Sequence, residues 1–477
     1  MVFHPVPTDP FYEFMRPPLD ETPAQKTARQ KREIDAQRVN DAIEEDIQRE
    51  RVVAARKDKK VIKVLLLGQA ESGKSTTLKN FRLKYSPEEW EAERGSWRSV
   101  VQLNIVRSII TILRVIEAAI NGDAPVDSDE DDVSEEDMRF TDRHQLLMIR
   151  LAPLLGVETK LKHRLGAGTS PLPATNYPMS ATPFELSEVP SNVRRKQEFS
   201  VRSWNDVLIA ENRAGDATGT ADDSVTDTLS GCKQDMKALW DDKAVRSALQ
   251  RRRIQLNDTA GFFLNDLDRI ASRDYVVTDD DVVRARLRTV GIQEHTLFFG
   301  SGPWDVSRSR GGWEWRIFDV GGCRTSRTAW LPYFDNVNVI IFLSPVSVFD
   351  QWLEEDPTVN RLEDSIILWT SICSSKLLAK TQLILFLNKC DLLRRKLKRG
   401  VQVKQFLPSF GDRPNEVIPA VKYFREKFKD IQKQNSPQAR SVYIYPTTVT
   451  DTTATATTLE TVRDGVLREN LAASQLI

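Results

Sequence analysis

The stretch Val61 to Thr77, VIKVLLLGQAESGKSTT, constrains this chain more than any other. Val61 to Leu67 is an almost unbroken apolar run, rich in β-branched residues and closed by a glycine. Such a run suits a strand buried on both faces of a parallel sheet. Gly68 to Ser75 then satisfies G-x-x-x-x-G-K-[ST], a phosphate-binding loop. The glycines let the backbone turn its N–H groups inward at phosphate oxygens. Lys74 brings a positive charge to the outer phosphates, and Ser75 offers a hydroxyl to Mg2+. The helix expected from Thr76 to Leu83 aims its positive end at the anion. A chance match in a Gly/Ser turn is the bland alternative; the strand before the loop and the helix after it argue against that reading.

The rest of the composition narrows the class. The chain has 477 residues, 40% hydrophobic and 29% charged, which suits a soluble globular protein of two or three domains. Lysine plus arginine equal aspartate plus glutamate, so no bulk attraction to nucleic acid is expected. No apolar segment approaches the roughly 18 residues of a membrane span. The start, MVFHPVPTDP, lacks the basic region and apolar core of a secretory signal. Cys232, Cys323, Cys373 and Cys390 are scattered without metal-ligand spacing, and reduced thiols are expected.

Taken in order, residues 1–60 form an irregular start followed by a charged helix, Glu21 to Lys60. Its narrow stripe of Val39, Ile43 and Ile47 suits docking to a partner. Val101, Ile105, Ser108, Ile109 and Leu113 place a long buried helix within Ser86 to Ile120. Asp127 to Asp137 is an acidic, solvated run. Helical patterns are read at Arg143 to Leu155, Arg195 to Glu211, Lys233 to Arg252 and Thr259 to Ser272. Gly166 to Pro190 and Gly215 to Gly231 read as flexible insertion within about 159–230. From Gly291 onward short apolar runs alternate with helices: Thr296 to Phe299, Trp313 to Val320, Val337 to Leu343, Leu383 to Leu387 and Val442 to Tyr445. That alternation predicts an α/β fold with a parallel sheet covered on both faces, built from 61–85 and 276–477. A helical domain, 86–275, interrupts it.

Further stretches carry chemistry. Asp319-Val320-Gly321-Gly322 follows the strand Trp313 to Phe318; the aspartate suits Mg2+ held through water, and the N–H of Gly322 suits a γ-phosphate. Asn388-Lys389-Cys390-Asp391 is N-K-x-D after another strand. Asp391 can accept from guanine N1 and its exocyclic amine, a donor pair adenine lacks. Asn388 either bonds the base or ties its loop to the phosphate loop, and the Lys389 stem covers the purine. Thr447 to Thr452, TTVTDT, follows the last strand and could offer the Val449 N–H to guanine O6. DVVRARLRTVGI, Asp281 to Ile292, is either a solvated basic stretch or an arginine aimed at the transferring phosphate, with a threonine completing the magnesium shell.

With these residues in view, the chain resembles the α subunits of heterotrimeric G proteins over roughly 25–477, insertions aside. GQAESGKST is similar to the family's phosphate loop, DVVRARLRTVGI to its first switch, DVGGCRTSRTAW to its second, and FLNKCD and TTVTDT to its guanine loops. NDTAGFFLNDLDRI resembles the helical-domain segment facing the nucleotide. The resemblance implies a P-loop, Ras-like sheet domain with an inserted all-α domain, and GTP or GDP with Mg2+ between them. Ser75, Thr289 and Asp319 match the metal-binding positions. Arg286 matches the built-in arginine finger and Glu71 the carboxylate that pairs with it. Glu71, Ser72, Gly73, Lys74, Ser75 and Thr76 would cradle phosphates; Asp258, Thr259, Val283 and Arg284 would line the nucleotide. Arg327 and Asp364 sit where an ion pair steadies the second switch in the GTP state.

The departures are specific. Cys323 stands where the family carries its water-positioning glutamine, and a thiol is a shorter, weaker hydrogen-bond partner. Val2 replaces the myristoylated glycine, and no cysteine precedes Cys232. Thr328 and Ala329 replace basic residues that face the βγ dimer. The resemblance implies a signal transducer and slow GTPase that couples a G-protein-coupled receptor to an effector, with βγ and a regulator of G-protein signalling as further partners. It would be cytoplasmic, peripheral at the inner face of the plasma membrane through those partners. The alternative is a GTP-binding scaffold with almost no hydrolysis, which Cys323 favours. A P-loop ATPase or kinase is disfavoured by Asn388 and Asp391.

Overall fold

Alternating residues of the central strands go to opposite faces, and both faces are dry. In β1 (Val61–Leu67), Leu65 and Leu67 join one core while Ile62, Val64 and Leu66 join another. This is the burial expected of a strand covered on both sides. The computed structural model describes residues 61–122, 140–165, 220–252, 254–287, 292–299, 313–334, 337–353, 356 and 358–473, with isolated positions before 61. The acidic run, the segments Gly166 to Pro190 and Arg195 to Glu211, Thr289, and nearly all of the N-terminal helix lie outside these residues.

After β1 come α1 (Lys74–Tyr85), α2 (Pro87–Arg94) and α3 (Trp97–Ile120). The long buried helix expected within Ser86 to Ile120 is α3, and the shorter α2 precedes it, the two separated near Gly95. Next are α4 (Asp142–Leu151), α5 (Pro153–Arg164), α6 (Thr220–Asp241) and α7 (Lys243–Arg251). Pro153 makes two helices of the single one read there, because proline fits the first turn of a helix and not its interior. The helix read over Thr259 to Ser272 is reduced to a turn at Leu264–Asp266 and a single helical turn at Leu267–Ile270. After these comes α8 (Asp279–Arg284), capped by Thr278, whose hydroxyl accepts from the Asp281 N–H at 3.2 Å.

The flexible reading of 159–230 is corrected at both ends. Helix α5 runs to Arg164, and α6 is already helical at Thr220. Val225, Leu229, Cys232, Met236 and Leu239 are all buried. Their spacing of three and four residues makes an apolar stripe that the Asp- and Thr-rich composition around it conceals. The stripe faces α4 and α5 and shares one helical-domain core with Val101, Ile105, Ile109, Ile112 and Ile116 of α3.

The remaining strands are β2 (Ile292–Phe299), β3 (Trp313–Val320), β4 (Val339–Pro345), β5 (Gln382–Asn388) and β6 (Val442–Pro446). Between and after them lie α9 (Arg361–Ser374), α10 (Cys390–Lys398), α11 (Val417–Asn435) and α12 (Thr452–Ala473). The sheet runs β2-β3-β1-β4-β5-β6. The pairs β1/β4, β4/β5 and β5/β6 are parallel, with Val64 opposite Val339 and Leu385 opposite Ile444. β2 and β3 are antiparallel, Phe299 facing Trp313, so the sheet is mixed rather than wholly parallel. Consecutive strands paired this way need no crossover helix. One face of the sheet packs on Trp369, Phe424 and Phe428 of α9 and α11, the other on Phe81, Leu459 and Val462 of α1 and α12. The loops after β1, β3, β5 and β6 thereby meet at one end of the sheet, where ligands of open α/β sheets bind.

Candidate functional site

Gly73 sets the first wall of the site. It sits at φ +105°, where side chains are strained, and a Cβ there would lie 2.3 Å from Asn388 Nδ2. With that space kept clear, α1 begins at Lys74 and its first N–H groups face a cavity of about 760 Å³. Around this cavity the structure gathers Glu71 to Thr76 of the phosphate loop, Asp258 and Thr259, Val283, Arg284 and Arg286, and Gly322 and Cys323. Asn388, Lys389, Asp391 and Val449 complete it.

The phosphate end is strongly cationic. Lys74 is fully enclosed, with Nζ donating to the carbonyls of Gly68 and Gln69 at 2.8 and 2.9 Å. Burial draws its ammonium down to about 8, against the opposing pull of Asp319. Gly322 is a position for glycine alone, since a Cβ would meet Lys74 Nζ at 2.4 Å and the Ala70 nitrogen at 2.6 Å. The Ser75 hydroxyl donates to Asp319 Oδ2 at 2.6 Å. Hydroxyl and carboxylate oxygen together are the hard donor set that suits Mg2+. Thr289, the third ligand implied by the resemblance, is outside the described residues.

Arg286 reaches Glu71 at 2.5 Å. Glu71, itself at φ +59°, is raised by burial but held below the usual carboxylate range by Arg286, Lys389 and Arg361. The backbone of Arg286 is clamped by Asn104 of α3, which accepts from its N–H at 2.7 Å and donates to its carbonyl at 2.9 Å. Arg361, at the start of α9, is 3.6 Å from Glu71 and donates to the Ala70 carbonyl at 3.1 Å. Sequence reading missed both residues. Each acts through a partner far away in the chain, and nothing in their local pattern marks them.

At the edge of the cavity two contacts hold the segment after β3. Arg327 pairs with Asp364 through both guanidinium nitrogens, at 2.9 and 2.6 Å, with both side chains buried. Bidentate pairs of this kind fix geometry as well as charge. Cys323 precedes the 3-10 segment Arg324–Tyr333, is half-buried and belongs to no disulfide. The Trp330 indole donates to the Gly321 carbonyl at 2.9 Å and anchors that segment from below.

At the base end, Asn388 takes the second of its two expected roles. Its Nδ2 donates to the Ser72 carbonyl at 2.8 Å, tying the N-K-x-D loop to the phosphate loop. Its Oδ1 accepts from the Val449 N–H at 3.2 Å and the Thr447 hydroxyl at 3.3 Å. The Val449 N–H, expected to face the base, is thus directed at Asn388 here. Lys389 stands in the left-handed region at φ +63°, and burial draws its ammonium down to about 8, with Glu71 opposing. Across the cavity, both Asp258 carboxylate oxygens are buried with no hydrogen-bond partner among the described residues. Acceptors left this way suit a donor-rich ligand.

Comparison with known proteins agrees with this geometry. A family model described as G-protein alpha subunit matches residues 37–466. The guanine nucleotide-binding protein alpha-4 subunit of Mycosarcoma maydis is 28% identical, over 98% of this chain and 96% of its own. A guanine nucleotide-binding protein alpha subunit of Cryphonectria parasitica is 30% identical, over 92% of this chain and 96% of its own. A cationic phosphate loop, an arginine held over it and a carboxylate-bearing base loop around one cavity, with a family match along most of the chain, place this protein in the G-protein alpha subunit family.

Proposed function

We propose that this chain is a guanine-nucleotide switch that hydrolyses GTP slowly, with receptor, βγ dimer and effector as partners and membrane residence through them. One observation carries the reading: the phosphate loop, Arg286 and the Asn388–Asp391 loop converge on a single cavity. Asp391 would select guanine by accepting from its N1 and amino protons. Lys74 and the N–H groups at the start of α1 would hold the phosphates. Mg2+, held by Ser75, Asp319 and Thr289, would neutralise phosphate charge. Arg286, released from Glu71, would stabilise the charge that develops on the γ-phosphoryl oxygens during in-line attack by water.

Cys323 supports the slow rate. Its thiol stands where an amide would orient the attacking water, and loss of one preorganised hydrogen-bonding group costs about 10²–10³ in rate. A second reading, a GTP-bound scaffold with almost no turnover, rests on the same residue, while the presence of Arg286 on the cavity, with Thr289 in the sequence, favours turnover. Single-turnover hydrolysis of γ-labelled GTP separates the two. The wild type should turn over slowly, and Cys323→Gln should raise the rate with little change in GTP affinity. An ordinary family rate in the wild type, unchanged by Cys323→Gln, would sink the slow-switch reading; no turnover even in Cys323→Gln would favour the scaffold.

A further inference from the structure

Helix α10 presents Asp391 and Arg395 to the cavity one turn apart, and Arg399 follows just past its end. The Arg395 guanidinium lies 3.5 Å from Asp391 Oδ2, the carboxylate the base loop depends on. The side chains are 48% and 39% exposed, so in water this contact is weak. A purine seated at the mouth would remove that water and strengthen the pairing. Resting on the guanine reading above, we infer that Arg395 is a specificity-determining positioning residue that narrows the margin between guanine and purines lacking its 2-amino group.

Guanine and hypoxanthine differ in how many carboxylate acceptors they use. Guanine offers two donors, N1–H and the 2-amino group, and needs both carboxylate oxygens. Hypoxanthine offers N1–H alone and needs one. Arg395 lies 3.5 Å from Oδ2 and partly neutralises it, so the guanine contact is diluted and the hypoxanthine contact is not. Removing the guanidinium returns Oδ2 to the base alone. Arg394, the preceding residue on α10, is exposed and does not line the cavity, so it carries a similar charge without this access.

The experiment is competition of GDP, IDP and ADP against a fluorescent guanine diphosphate on the full chain with Mg2+. Arg395→Gln should raise the GDP-over-IDP preference about fivefold, while Arg395→Lys and Arg394→Gln stay near the wild-type ratio. A merely structural role for Arg395 would weaken both nucleotides together and leave the ratio unmoved. An unchanged ratio, or a gain for IDP, in Arg395→Gln would overturn the inference, provided that the wild type prefers GDP over ADP strongly. Equal competition by ADP in the wild type would overturn the base reading and this inference with it.

Discussion

Lys74 shows how far one enclosed side chain can couple binding to pH. With only protein groups around it, its ammonium titrates near 8, because burial costs the charged form more than Asp319 returns. Phosphate oxygens set against Nζ favour the charged form and raise that value. A nucleotide bound at pH 8.5 should therefore take up roughly half a proton or more, and at pH 7 close to none. Affinity should accordingly weaken as pH rises above 8. Calorimetric titration with GDP in buffers of different ionisation enthalpy reads the uptake directly. A binding enthalpy independent of buffer at pH 8.5 would mean that Lys74 stays fully charged before the phosphates arrive. The residues that do this chemistry were legible because motifs fix them locally: Lys74 and Ser75 by the glycines around them, Asp391 by its place after a strand.

At the scale of elements, helix α3 does something that its own sequence does not announce. Its apolar stripe marks it as a core helix, yet Asn104 on its flank makes both backbone hydrogen bonds to Arg286. The helical domain thus sets where the arginine begins, while Glu71 holds where it ends. Asn104→Ala should leave the Arg286 N–H and carbonyl without those partners and let the side chain drift. Displacement of a catalytic group by about an ångström can cost up to 10²-fold, so the single-turnover rate should fall about tenfold or more, with GTP affinity little changed. Equal losses in rate and affinity would instead show a general loosening of the pocket. The same scale explains what the sequence left hidden. Strand alternation gave all six strands, but the antiparallel β2/β3 pair depends on connection geometry rather than hydrophobic pattern. The first half of helix α6, up to Gly231, reads as linker because Thr, Asp and Ser outnumber its buried residues there, while its second half falls within the helical pattern of Lys233 to Arg252.

Among the described residues there is one core on each face of the sheet and a third in the helical domain. Lys79 of α1 links two parts of the molecule. Its Nζ donates to the Val282 and Ala285 carbonyls at 2.9 and 2.7 Å and lies 4.2 Å from the centre of the Trp97 ring. It ties the helix behind the phosphate loop to the segment that carries Arg286. Burial draws its ammonium down to about 7, with Glu93 and Asp319 opposing. An unfolded lysine titrates near 10.4. Between those two values the unfolded chain binds the extra proton, so stability rises with pH across that window, by at most about 1.4 kcal/mol per pH unit for one such group. Lys74 and Lys389 begin to contribute near 8, which leaves pH 7 to 8 chiefly to Lys79. Urea midpoints of the wild type should climb over that interval. Lys79→Met, which keeps the length of the side chain but cannot titrate, should lower the midpoint by removing two buried hydrogen bonds and should also flatten the climb. Wild-type and mutant curves that run parallel from pH 7 to 8 would show that Lys79 keeps its proton throughout, as a fixed cationic bolt between the two parts of the molecule.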